Sequence, residues 1–277
     1  MNPKVRIVSD THIDFYSGYP PEMFVRPTEN SKTEEILLLA GDICEWKHGV
    51  KFMGFIEWAA NNFFHVCYVP GNHEYYGLDY FSTKRQIFGE FKKFDNVTFL
   101  DHEDDDLCRP KWIDLFGHRI IGTTLWTDFN KNDPRVKLNA VDFLNDYDLI
   151  RLDDINRKIF PEFIGDLNRT STKGLEKSIN SSPLPVIVMT HHAPHKLSHD
   201  SRYKLDEASY LFFNTHLENL ILDHTDIIKY WFHGHIHTSM NYMIGNTNII
   251  ANPAGYPNRA GILNENRYFD PSLSISL

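Results

Sequence analysis

Five short apolar runs each end on residues able to ligate a metal ion. Asp10-Thr11-His12 closes the run at 5–9, Gly41-Asp42 the run at 36–40, and Gly71-Asn72-His73-Glu74 the run at 66–69. Thr190-His191-His192 closes the run at 185–189, and Gly234-His235-Ile236-His237 the run at 227–232. Imidazole nitrogens mixed with carboxylate and amide oxygens suit divalent transition metals, whereas an all-oxygen set would suit magnesium or calcium. The donors suffice for two ions. A carboxylate shared by two ions about 3.5–4 Å apart generates a hydroxide and clamps a phosphoryl group, and Asp42 is the natural bridge.

Such ligands act together only if the elements carrying them end in one place. Between the second and third runs, Phe52, Phe55, Ile56, Ala59 and Phe63 recur at helical spacing, so the region reads as strand, helix, strand. A second amphipathic helix carries Phe81, Phe88 and Phe91, and strands are expected at 97–100, 112–116 and 119–125, the last two joined by a Gly117-His118 turn. A helix is expected around 208–222 and a hairpin over 242–250 with Gly245-Asn246 at its tip. In open α/β sheets the strand ends converge on one crevice, which would make neighbours of the five motifs. Glycine before Asp42, Asn72 and His235 lets the backbone turn tightly there.

The chain has 277 residues, 42% hydrophobic and 23% charged, which is globular composition. The expectation is one domain over residues 1–277, with a helical insertion or cap at about 128–182, where Asp, Asn, Arg and Lys are frequent. The formal net charge of −9 argues against general nucleic-acid binding. Cys44, Cys67 and Cys108 are an odd set without paired spacing, so a reducing compartment is expected. The N-terminal residues show no secretory pattern and no apolar stretch reaches bilayer-spanning length, which together predict a cytoplasmic protein with no membrane partner.

Taken in order, the five motifs resemble those of the calcineurin-like metallophosphoesterase superfamily over residues 8–237. The resemblance implies an α/β fold, a sandwich of two mixed β-sheets flanked by α-helices, with a dinuclear centre at the strand ends. It places Asp10, His12, Asp42 and His237 on one ion and Asp42, Asn72, His191 and His235 on the other. The ions are expected to be manganese, with iron, zinc, cobalt or nickel as the other candidates. The implied chemistry is in-line attack on phosphorus by a hydroxide between the ions, with His73 protonating the leaving oxygen and Glu45 orienting His73. Glu45 stands where many members have aspartate. The segment Ile43-Cys44-Glu45-Trp46-Lys47 lacks the arginine of the protein Ser/Thr phosphatases, and Lys47 has no bidentate fork to replace it.

These features favour hydrolysis of a small phosphodiester or phosphomonoester, nucleotides or cyclic nucleotides first. A nuclease and a non-catalytic scaffold of the same fold are the alternatives; the negative charge weighs against the first and the intact ligand set against the second. Oligomeric state has no signature in the sequence. His191 and His192 compete for one ligand position, and the strand end favours His191, leaving His192 toward substrate or solvent. His195 and His233 read as polar neighbours rather than ligands. Tyr75, Tyr76, Trp126 and the loop at 16–27 are candidate pocket walls, although core packing is the simpler reading. Arg135, Arg151 and Arg157 are candidates for a second phosphate, with helix-surface charge as their default, and the acidic run Glu103 to Asp106 reads as a solvated loop.

Overall fold

The computed structural model describes residues 3–103, 111–152, 156–258 and 265–277. Among the described residues, eleven strands form two sheets. The first contains β1 (Lys4–Val8), β2 (Glu35–Ala40), β3 (His65–Val69), β4 (Val97–Phe99) and β11 (Ser274–Ser276), in the order β11-β1-β2-β3-β4. The second contains β5 (Trp112–Leu115), β6 (His118–Thr123), β7 (Val186–Thr190), β8 (Ile228–His233), β9 (Met240–Ile244) and β10 (Thr247–Ala251), in the order β5-β6-β7-β8-β10-β9. Both sheets are mixed: inner pairs such as β1–β2 and β7–β8 run parallel, while β11, β5 and β9 pair antiparallel at the edges.

The inner strands β2, β3 and β7 are buried on both faces, as parallel strands between two layers must be. Val5, Ile7, Ile36, Leu38 and Ala40 point one way and meet Ile120, Ile187, Met189 and Phe232 of the second sheet. Val8, Leu37 and Leu39 point the other way, onto Phe52, Phe55, Ile56 and Ala59 of the helix Gly49–Asn62. On the far side, Val186 and Val188 pack under Leu175 and Ile179 of the helix Pro161–Asn180. This is the expected sandwich of two mixed sheets between helices. Every described ligand motif leaves it from a strand's C-terminal end.

Several expectations shift. The turn after β5 is Phe116-Gly117, with φ of 47° and 74°, not Gly117-His118: two successive left-handed residues match the twist of a two-residue hairpin, and His118 already pairs in β6. The expected helix at 208–222 is broken into a single turn, Ala208–Leu211, and a short helix, Glu218–Asp223. Between them Phe213 bridges to Ala193, and Asn214 donates to the carbonyls of Trp126 and Ala193 at 2.9 and 3.2 Å, so long-range bonds replace helical ones. Glu103 is buried, not solvated: its carboxylate is bonded to Lys84 and Tyr80 inside the fold. The rest of that acidic run, 104–106, and Cys108 lie outside the described residues. The 128–182 stretch supplies the helix Pro134–Phe143, started by the Asp133 side chain, a single turn at Asp146–Leu149, and the long helix Pro161–Asn180.

Candidate metal centre

Four of the seven candidate ligands have left-handed backbone: Asp10 (φ 52°), His12 (44°), Asp42 (54°) and His235 (66°). Each such residue costs of order 1–3 kcal/mol and persists only where its surroundings dictate it. Cross-links between strand ends do so here. Asp10 and His12 donate backbone N–H groups to Gly41 and Asp42, and the Thr11 hydroxyl donates to the carbonyl of Ile43 at 2.9 Å. The buried Glu74 carboxyl accepts from the backbone N–H of Gly71, Asp42 and Ile43 at 2.8, 3.1 and 2.9 Å, tying the second motif to the third. Glycine is required at Gly41 by its φ of 85° and at both Gly41 and Gly234 by proximity: a Cβ on Gly41 would lie 2.5 Å from His191 Nδ1, and one on Gly234 2.6 Å from Asp10 Oδ2.

Asp42 is the centre of the cluster. Its Oδ2 lies 3.4 Å from His191 Nε2, 3.9 Å from His73 Nε2 and 4.0 Å from His12 Nε2. On one side His12 Nε2 and His237 Nε2 face each other at 3.2 Å, with Asp10 Oδ1 3.5 Å from His237 Nε2. On the other, His191 Nε2 lies 3.0 Å from Asn72 Oδ1, while its Nδ1 is fixed 2.8 Å from the Ala40 carbonyl. Asn72 is oriented by its amide, which donates to Asp146 Oδ1 at 2.8 Å, and Tyr76 Oη donates to the same oxygen at 2.6 Å.

The electrostatics divide the histidines into two kinds. Burial and the neighbouring His73 hold His12 well below the ordinary imidazole range, and burial beside His192 and His191 does the same to His235. His191 goes the other way: burial opposes its charge, but Asp42 outweighs it and raises the ring to about 9. His237 rises to about 10 because Asp10 and Glu265 together overcome burial, Glu265 Oε2 lying 2.7 Å from its Nδ1. Asp42 is pulled well below the carboxylate range by His191 and His73 in spite of its burial.

Metal ions fit this set. Donor atoms of Asp10, His12 and His237, and of Asp10, Asp42 and His191, lie within 4.8 Å of one another in two overlapping groups. His235 Nε2 is buried without a hydrogen-bond partner, a state that ligation by imidazole would relieve. His192 belongs to a third group with His191 and His235, but its ring is buried away from solvent, stacks on His235 at 4.0 Å and does not line the cavity. His195 receives the backbone N–H of Leu197, and His233 bonds the Ser198 hydroxyl at 2.8 Å, so neither joins the cluster.

Glu45 does not meet His73. Its carboxylate pairs with Lys47 and lies 3.9 Å from His48, while His73 Nδ1 has no hydrogen-bond partner. The group on His73 is Tyr256: its hydroxyl lies 3.0 Å from His73 Nε2 and its ring stacks on His12 at 4.2 Å. Tyr256 follows Gly255, whose φ is 79°, and Glu265 Oε2 accepts its backbone N–H at 2.6 Å. Tyr256, Glu265, Asp146 and Glu74 lie outside the roles assigned from the sequence. The only cue to Tyr256 there is the Asn252-Pro253-Ala254-Gly255 turn after the last hairpin.

The cluster opens into a cavity of about 570 Å³, with Asp42, His73, His235 and His237 at its floor. Tyr75 and Trp126 are buried in the core beneath the 134–167 region, and Tyr16 and Phe24 of the early loop are buried against the helix Gly49–Asn62, so none of them forms the cavity wall. Tyr76 does line it. Arg135 pairs with Asp133 and Glu207, and Arg151 with Asn156 and two carbonyls; neither reaches the cavity. Arg157 lies over the Phe160 ring at 5.8 Å and is likewise outside the cavity.

Two mixed sheets with histidines and carboxylates gathered at their strand ends define a metal-binding α/β sandwich. The chain belongs to the calcineurin-like phosphoesterase family, whose model matches residues 3–239. The uncharacterized protein L509 of Acanthamoeba polyphaga mimivirus is 27% identical over 289 residues, covering 96% of each chain. Among solved structures, the phosphopantetheinyl hydrolase PptH of Mycobacterium tuberculosis is similar in fold, with a TM-score of 0.71 at 14% identity over 92% of this chain and 90% of that one. A Staphylococcus aureus protein assigned as a 5′-nucleotidase has a TM-score of 0.54 at 12% identity, over 91% of this chain and 48% of that one. Among the described residues, no helix is long and apolar enough to cross a membrane.

Proposed function

We propose that this protein hydrolyses a small phosphoester, nucleotides first, at two divalent ions. One would be held by Asp10, His12, Asp42 and His237 and the other by Asp42, Asn72, His191 and His235. When bound, such ions polarise phosphoryl oxygens and acidify water. The observation that carries this reading is Asp42 Oδ2, within 4.0 Å of histidines from three different strand ends and at the floor of a 570 Å³ cavity. That volume suits a drug-sized organic ligand rather than a bare phosphate.

The chain's own groups divide the remaining work. His73 holds a proton at Nε2 for the leaving oxygen, and Tyr256, on that same nitrogen, positions the ring in place of Glu45. His12 and His235, kept neutral by burial, offer lone pairs directly. Asp146 fixes which face of the Asn72 amide points at the centre. Phe143, Leu144 and Asn145 of the 128–182 stretch line the cavity. Similarity to a phosphopantetheinyl hydrolase and a 5′-nucleotidase supports an ester of a sizeable organic alcohol. Manganese is our first choice for the nitrogen and oxygen donors. The described cysteines, Cys44 and Cys67, are buried free thiols, which fits the cytoplasmic location we propose.

The test is hydrolysis of an aryl phosphomonoester beside an aryl phosphodiester, using chelated protein reloaded with manganese. Turnover returning with the metal and falling about 10²–10⁴-fold in His73→Ala supports the reading. Turnover indifferent to chelation, or unchanged in His73→Ala, overturns it.

A further inference from the structure

Two segments far apart in sequence complete the cavity. Phe143 to Asn145, at the end of the helix Pro134–Phe143, and residues between His199 and Phe212 both line it. Their aromatic rings are unusually open: Phe143 is 66% exposed, Tyr203 67% and Phe212 36%. Large apolar groups gathered in the open around a cavity mark a surface that something covers. Phe212 continues this wall down to the metal centre, its ring centroid 5.6 Å from that of His235.

Charge does not explain the wall. It carries two cations, Arg202 and Lys204, and two carboxylates, Asp200 and Asp206. Arg202 donates from Nε to Asp200 Oδ2 at 2.8 Å and from Nη2 to Thr238 Oγ1 at 2.9 Å, so its guanidinium is held by neighbours before any ligand arrives. Asp200 also accepts from Thr238 Oγ1 at 2.6 Å. Asp206 Oδ1 accepts from the backbone N–H and the hydroxyl of Ser209, both at 3.2 Å. The formal charges cancel, and what the wall offers is aromatic area.

We propose that Phe143, Tyr203 and Phe212 seat the alcohol part of the substrate, and that this part carries a flat, uncharged aromatic ring of nucleobase type. The inference rests on the hydrolase reading and extends it from the phosphoryl end to the other end of the substrate. Rings of this kind stack on aromatic side chains whatever their hydrogen-bonding pattern, so the site selects flat arms over alkyl ones without selecting among bases.

The test uses adenosine, which lacks a phosphate and so reports the wall apart from the metal centre. Calorimetric titration compares adenosine with ribose on wild-type protein and on Tyr203→Ala and Phe143→Ala, whose exposed side chains can be removed without opening the core. Adenosine binding that ribose does not match, weakened about 5- to 100-fold in either variant, is the expected result. In the manganese-loaded protein the ratio of kcat/KM for adenosine 5′-monophosphate to that for methyl phosphate should fall by the same factor. Absence of adenosine binding, or binding unchanged in both variants, overturns the inference and leaves the hydrolase reading standing. Adenosine binding as expected beside no turnover of these esters or of the aryl phosphodiester overturns the hydrolase reading on which it rests.

Discussion

Loading the proposed metal centre should release protons. Each proposed ion site pairs one histidine kept neutral by burial with one held protonated by carboxylates: His12 with His237, and His235 with His191. With His237 raised to about 10 and His191 to about 9, each gives up its proton when an ion takes its place. At pH 7 this competition weakens binding about 1,000-fold at the first site and about 100-fold at the second, because each unit between ring pKa and pH is a factor of ten. Between pH 6 and 8 the apparent affinity of each ion should therefore rise about ten-fold per pH unit, and filling both should release about two protons from the histidines, in addition to any that metal-bound water gives up. Because the groups interact, the proton count belongs to the cluster rather than to single rings. Manganese titrations in buffers of differing ionisation enthalpy read the count directly. Affinity flat across pH 6–8, with no protons released, would refute the pairing of neutral and protonated ligands.

Three further predictions follow from the packing. Lys84 is 1% exposed and bonds Glu103, Asp101 at 3.1 Å and the Tyr80 hydroxyl at 2.8 Å, so Lys84→Met strands buried carboxylates and should cost about 3–5 kcal/mol. That lowers the melting temperature by roughly 6–20 °C; an unshifted melt contradicts the buried pair. Glu35 is held below the carboxylate range because Arg6, Ser31 and Thr28 outweigh its burial. Its stabilising contribution is complete above the unfolded carboxylate value near ~4.3 and declines as pH falls toward the lower folded value. From pH 6 to 3.5 the wild type should therefore lose melting temperature faster than Arg6→Leu/Glu35→Leu, and parallel curves would dismiss the linkage. Tyr256→Phe removes the hydroxyl from His73 Nε2 but keeps the ring stacked on His12, so kcat should fall about 2- to 10-fold with KM and metal content unchanged. A change in KM alone would make Tyr256 a substrate contact instead.

The candidate metal centre is legible because its residues interrupt apolar runs: a strand must stop where Asp-x-His or Gly-His-x-His begins, and parallel strands stop on one side of a sheet. The strand at 65–69 and the helix at 49–62 show themselves the same way, through periodicity. Glu103 reads as solvated in the sequence because its charge is visible there while its partner Lys84, on another element, is not. The aromatic wall was hidden for a related reason. Residues 199–207 have no repeating apolar pattern, and Phe143 reads as one more helix residue until the fold brings it to the cavity that Tyr203 also lines. Tyr256 and Glu265 join the site through a turn after β10, beyond the last motif. Contacts made by loops follow from the tertiary fold, and local spacing does not encode them.

The most direct test of the two-ion account is the metal content of chelated protein reloaded with manganese, measured beside aryl phosphate turnover in wild type and Asp42→Ala. Two ions per chain with full turnover in the wild type, and loss of both turnover and at least one ion in Asp42→Ala, is the predicted result. Full turnover in Asp42→Ala, or in a wild-type chain that holds no ion, would contradict it.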